Sequence, residues 1–178
     1  SGIYRLIPFA EKGYFCATIS YRLTGIAKFP AQIEDCKCAI RFLRGNSEKY
    51  NIDPEKIGVW GPSAGGHLSA LLGTTSNTGE FEGKGGWTGY SSKVNAVCDW
   101  FGPADFLIGF QKSEREGSAY RVISELLGGE IENLIEKAKK ASPVYYINKD
   151  CPPFLIMHGD KDNLVPYIQS LTLYNKLK

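Results

Sequence analysis

Apolar and polar positions along this chain alternate between two periods. Residues 14–20 (YFCATIS), 56–60 (KIGVW), 94–100 (VNAVCDW) and 153–158 (PFLIMH) are short, β-rich or continuously apolar runs, the pattern of strands. Between the first two, residues 30–44 repeat Ile33, Cys36, Ile40 and Leu43 at helical spacing, and Asp53-Pro54 then breaks the chain. Residues 64–72 read as a helix closed by Gly73. A last helix, with Pro166 suited to its first turn, carries Ile168, Leu171, Tyr174 and Leu177 inward. Strands separated by helical segments of this length imply right-handed crossovers and a mostly parallel sheet with helices on both faces. The fold class is α/β, and the chain reads as one domain over residues 1–178.

Two stretches interrupt this rhythm. Residues 76–93 form a loop with five glycines (79, 83, 85, 86 and 89), longer than a plain connection, and so either mobile or part of a site rim. Residues 103–141 hold two helical patterns, around 119–127 and 132–141, separated by Gly128-Gly129. They are too long for a simple crossover and suit a small helical cap over the carboxyl ends of the strands.

Composition narrows the function classes. The chain of 178 residues has 21 Lys+Arg against 19 Asp+Glu, a net charge of +2, and 43% hydrophobic residues, which excludes a disordered tail and a fibrous repeat. The longest basic run, residues 137–140, contains Ala138, so there is no footprint for nucleic acid or for an anionic membrane. No apolar stretch nears the roughly 18 residues of a membrane span. Residues 1–12 also lack the basic lead and apolar core of a secretory leader. Five cysteines (16, 36, 38, 98 and 151) show no CxxC spacing and read as free, mostly buried thiols. Cys36 and Cys38 lie two apart on a helix, hence on different faces, which argues against a shared metal.

The informative chemistry is in residues 57–67. Gly61-Pro62-Ser63-Ala64-Gly65 matches G-x-S-x-G, with a strand before it and a helix after it. The turn is sharp enough to strain the serine backbone, and Cβ atoms at 61 and 65 are expected to collide with neighbouring backbone, which glycine avoids. Ser63 then projects above the sheet at a helix N-terminus, where the backbone N–H of Ala64 can stabilise a developing oxyanion. The bland alternative is a glycine-rich turn in which Ser63 only caps a helix. A serine hydroxyl needs a base to remove its proton, so a histidine oriented by a carboxylate is expected.

A second signal is residues 158–166, His158-Gly159-Asp160-Lys161-Asp162-Asn163-Leu164-Val165-Pro166, where an apolar strand runs into a turn with two acids. Here the sequence resembles the α/β-hydrolase superfamily, whose members carry H-G-x-x-D-x-x-V-P at this point. Tyr21-Arg22-Leu23, Phe29-Pro30-Ala31, Asp35, Trp100-Phe101-Gly102-Pro103 and Ser142-Pro143 extend the likeness to its esterase/lipase branch, which includes bacterial feruloyl and acetyl-xylan esterases. The resemblance implies a serine carboxylic-ester hydrolase acting on small or carbohydrate-linked acyl esters, with no metal and no cofactor. It makes Ser63 the nucleophile, Asp162 the triad acid and Ala64 an oxyanion donor, while Asp160 hydrogen-bonds within its turn. Two other functions stay open: a serine peptidase of the prolyl-oligopeptidase type, and a non-catalytic binding module on the hydrolase fold. Peptidase relatives more often place an aromatic after the serine, where this chain has Ala64.

Neither histidine suits the base. His67 lies one turn into the helix after Ser63, and His158 sits where the family supports the acid turn. The family takes its base from a loop after one further strand, and an oxyanion donor from an H-G-G-G segment before the helix that matches residues 2–12. The resemblance therefore implies a fragment cut at both ends. It also implies a gap beside residues 56–60, to be met by residues 14–20 moving in to pair, by another chain, or by marginal stability.

Overall fold

The computed structural model describes residues 2–110 and 119–178. A 3₁₀ turn, Gly2–Arg5, leads into a short helix α1 (Ile7–Ala10), followed by α2 (Ala31–Gly45) and α3 (Ser47–Tyr50). Strand β1 (Gly58–Pro62), helix α4 (Ala64–Thr74) and strand β2 (Ala96–Trp100) come next. Helices α5 (Ala119–Leu127) and α6 (Ile135–Ala141), strand β3 (Phe154–Met157) and helix α7 (Ile168–Leu177) complete the order. The strands form one sheet in the order β1-β2-β3, every pair parallel, with Gly61 opposite Asp99 and Asp99 opposite Ile156. All three strands therefore end at one carboxyl edge.

One face of the sheet carries the main core. Leu68, Leu71 and Leu72 of α4 join Ile33, Cys36 and Ile40 of α2, Val97 of β2, and Tyr120, Ile123 and Leu127 of α5. Ala70 of α4 and Leu173 of α7 belong to a second cluster with Ala104 and Val144. On the opposite face Phe9 packs against Trp60, whose ring lies 4.7 Å from that of Trp100.

Several local expectations are corrected. Residues 14–20 form no strand; they run without a ladder partner, with Tyr14 and Phe15 exposed. β-propensity gives an extended chain but does not supply an edge to pair with. Among the described residues no strand lies on the outer side of β1, so this segment has not moved in to pair there. Gly73 does not close α4, which continues to Thr74. A Cβ at Gly73 would sit 2.5 Å from Val97 Cγ2 and 2.9 Å from Phe154 Cζ, so this glycine lets the helix lie close on the sheet. Helix α7 turns a different face inward: Gln169, Ser170 and Leu173 are buried, whereas Ile168, Leu171 and Tyr174 are exposed. Gln169 is buried because its amide satisfies the loop after β2. Its Oε1 accepts the N–H groups of Ala104 and Asp105, and its Nε2 donates to the carbonyls of Asp105 and Ile108.

Of the five free thiols only Cys36 is buried, and burial pushes it up to about 12. The others are partly exposed, because Cys38 faces the glycine loop and Cys98 lies on the less covered sheet face. That loop, residues 76–93, is tied to α2. The Glu82 carboxylate receives Lys37 Nζ at 2.8 Å, Arg41 Nη1 at 2.7 Å and Ser92 Oγ at 2.6 Å. No helix among the described residues is long and apolar enough to cross a membrane.

Candidate active site

Ser63 lies between the carboxyl end of β1 and the start of α4, with φ 53° and ψ −120°. Positive φ is costly for a residue with a Cβ, about 1–3 kcal/mol, so the surroundings must impose it. They do so through the backbone. The Ser63 N–H donates to Trp100 O at 2.9 Å, and Ser63 O accepts the His67 N–H at 2.9 Å. The side chain caps nothing and the residue is exposed. Ser63 thus stands at the N-cap position of α4 without a capping hydrogen bond from its side chain. The N–H of Ala64, first in the helix, finds no acceptor among the described residues and lies at the positive end of α4.

The glycines of the turn divide unequally. A Cβ at Gly61 would meet the backbone of Gly65 at 2.7–2.9 Å, so only glycine fits there. At Gly65 a Cβ would touch only Pro62 Cδ at 3.5 Å, an ordinary contact, which corrects the expectation of a collision. Position 61 points its Cβ at the helix backbone, whereas position 65 points outward. The second tight site is Gly66, where a Cβ would run into Asp99 Oδ1.

Asp162 follows the carboxyl end of β3, on the same sheet edge as Ser63, in a turn after His158-Gly159. Its Oδ1 accepts the N–H groups of Leu164 and Val165 at 2.8 and 2.9 Å, and its Oδ2 lies 3.6 Å from His158 Nε2. It is Asp162, then, that hydrogen-bonds within the turn. Asp160, expected in that role, is exposed, and the N–H groups of Leu164 and Val165 go to Asp162 instead.

The two histidines are occupied. His158 Nε2–H donates to Val165 O at 2.9 Å and its Nδ1 accepts the Ser170 hydroxyl at 2.7 Å, which binds the acid turn to α7. His67 is buried, with its ring stacked on Phe106 at 4.8 Å. Its Nδ1–H donates to Pro103 O at 2.9 Å, and its Nε2 has no partner among the described residues. Burial pushes it down to about 4, so it is neutral. Among the described residues there is no cluster of three or more His, Cys, Asp or Glu side chains placed to hold a metal ion.

Sequence reasoning missed two features of this edge. Phe101, at φ 45°, directly follows β2 beside an open groove of about 520 Å³ shared with Trp100, Ile156, Met157, His158 and Gly159. Asp99 lies fully buried beneath the serine turn. The signal for Asp99 is an acid placed within the strand-like run 94–100, whose other residues apart from Asn95 are apolar.

A parallel sheet crossed over by helices, with a strained serine between a strand and a helix and an acid turn at the same edge, defines an α/β hydrolase. The chain belongs to the BD-FAE family, which matches residues 3–177. It is 32% identical over 171 residues to Esterase LipC of Mycobacterium tuberculosis, an alignment that covers 95% of this chain and 41% of that protein. Two solved structures superpose with a TM-score of 0.80. One is a bifunctional GH43-CE protein of Bacteroides eggerthii, 38% identical, covering 89% of this chain and 22% of the other. The second is a truncated carbohydrate esterase from gut microbiota, 39% identical, covering 89% and 59%. The chain spans less than two thirds of each.

Proposed function

We propose that the protein carrying this chain is a serine carboxylic-ester hydrolase. The observation that carries this reading is the backbone of Ser63, held at positive φ beside the N–H of Ala64, which has no acceptor among the described residues. In the proposed reaction Ser63 Oγ attacks the ester carbonyl carbon while a base takes its proton, and the carbonyl oxygen becomes an oxyanion facing the Ala64 N–H. Collapse of the intermediate breaks the bond to the alcohol, which leaves with the proton from the base. Water then attacks the acyl-enzyme by the same route, releasing the acid and restoring Ser63. Asp162 orients the base and stabilises its protonated form. Both histidines here are engaged elsewhere, so this reading assigns the role of base to neither His67 nor His158. In this reading residues 103–141, of which 111–118 lie outside the described residues, supply a small cap.

Small acyl groups on carbohydrates are the proposed substrates, supported by the similarity to a carbohydrate esterase and to the GH43-CE protein. The test is a fluorophosphonate probe with a panel of p-nitrophenyl esters, acetylated oligosaccharides and peptide anilides, all on the full-length protein. Labelling that disappears in Ser63→Ala, with turnover of esters and not anilides, is expected. Anilide turnover would favour a peptidase, and no labelling would favour a binding module.

A further inference from the structure

Asp99 stands one residue before the carboxyl end of β2, on the face covered by α4, with no exposed surface. Its Oδ1 accepts the Gly102 N–H at 2.9 Å, and its Oδ2 is buried without a partner among the described residues. Three oxygens converge on Gly66 in the first turn of α4. A Cβ there would run into Asp99 Oδ1 and come to 3.0 Å from the carbonyl oxygens of both Gly61 and Trp100. Gly102 is closed off in the same way, since a Cβ would lie 2.5 Å from Asp99 Oδ1 and from the carbonyl carbon of Gly66. Trp100 O is also the acceptor for the Ser63 N–H. The carboxyl group is therefore wedged between the nucleophile turn and the chain leaving β2.

The surroundings favour an uncharged group. Helix α4 and strands β1 and β3 contain no Lys or Arg. The ionisable groups on the elements around it are His67, held neutral by burial, Cys98 on its own strand, and Asp105 in the following loop, which accepts the Leu107 N–H and the Tyr145 hydroxyl. A carboxylate here would be fully buried with a single N–H in compensation and its second oxygen unpartnered among the described residues. A carboxylic acid avoids the buried charge and keeps an oxygen to accept the Gly102 N–H. Burial accordingly pushes Asp99 up to about 7, with the Gly102 N–H only partly offsetting it.

We propose that Asp99 is a positioning residue that holds the nucleophile turn in its working geometry as a neutral carboxylic acid, and that its ionisation loosens the turn. The effect on catalysis rests on Ser63 being the nucleophile; the charge state does not. Misplacing a reacting atom by about 1 Å costs roughly 100-fold in rate, which sets the expected scale.

The test uses the full-length protein with p-nitrophenyl acetate. Asp99→Ala lowers kcat about 100-fold with KM changed less than about threefold, and Asp99→Asn, which keeps a donor in the same shape, recovers most of that loss. Wild-type kcat declines above about pH 7 and the decline is absent in Asp99→Asn. Independently, folding favours the acid form, so its stabilisation is present below about pH 4 and is lost as the pH rises through about 7. The unfolding midpoint of the wild type should fall against that of Asp99→Asn over that window. Parallel midpoints would overturn the neutral state, and unchanged kcat in Asp99→Ala would overturn the positioning role. If Asp99→Ala does not fold, Asp99→Ser replaces it in the kcat comparison. Activity surviving in Ser63→Ala would instead reject the nucleophile, while the midpoints still judge Asp99.

Discussion

The turn bearing Ser63 and the turn bearing Asp162 leave the same edge of one sheet, yet they are held in opposite ways. The first is fixed by backbone contacts and by missing Cβ atoms at Gly61 and Gly66. The second is fixed by side-chain hydrogen bonds, from Asp162 to two N–H groups and from His158 to Val165 and Ser170. One is broken by adding a carbon, the other by removing a polar atom. One sheet edge thus joins a rigid, sterically closed serine turn to a carboxylate whose orientation is set by hydrogen bonds.

This contrast can be tested from both sides. Ser63→Ala in the full-length protein should lower kcat by about 10⁴- to 10⁶-fold, and Asp162→Asn by about 10⁴-fold, with little change in unfolding midpoint for Ser63→Ala because its side chain bonds nothing. Gly61→Ala should cost about 3 kcal/mol in denaturant unfolding, since the new Cβ meets backbone that cannot yield. A similar size attaches to pH at the serine turn. His67, held down at about 4 by burial, contributes stability present above about pH 6.5 and lost as the pH falls through about 4, about 3 kcal/mol in all. Chemical denaturation of the wild type against His67→Phe should show that slope vanish in the variant. On the acid side, Ser170→Ala removes one donor to His158 Nδ1 and should cost about 1–2 kcal/mol. The smallest effect is Gly65→Ala, within about 1 kcal/mol of wild type and on the stabilising side, because the helix gains an alanine with room for it.

The pattern of strands and helices was legible because periodicity reports burial, and three of four strand readings correspond to β1, β2 and β3 within about two residues. The serine turn was legible because strand, glycine, serine and helix are contiguous in sequence. What escaped depended on partners remote along the chain. Nothing in residues 14–20 reveals whether a neighbouring strand exists. The inward face of α7 was misread because hydrophobicity counts Gln169 and Ser170 as surface, although they satisfy groups at positions 104–108 and at His158. Asp99 stayed hidden for the same reason, as its two tight contacts, Gly66 and Gly102, come from different elements.

Helix α4 has a consequence for the order in which the molecule folds. Three of its eleven residues are glycines, at 65, 66 and 73, each about 1 kcal/mol less favourable than alanine in a helix interior. A helix this short and this poor in propensity does not persist alone in water. It exists because Gly66 and Gly73 let it settle on β2 and β3, closer than any side chain would allow. The strained backbone of Ser63 therefore has nothing to hold it until helix and sheet have docked. The Ser63 turn is among the last features to form, and it is unmade by the same event that lifts α4 from the sheet.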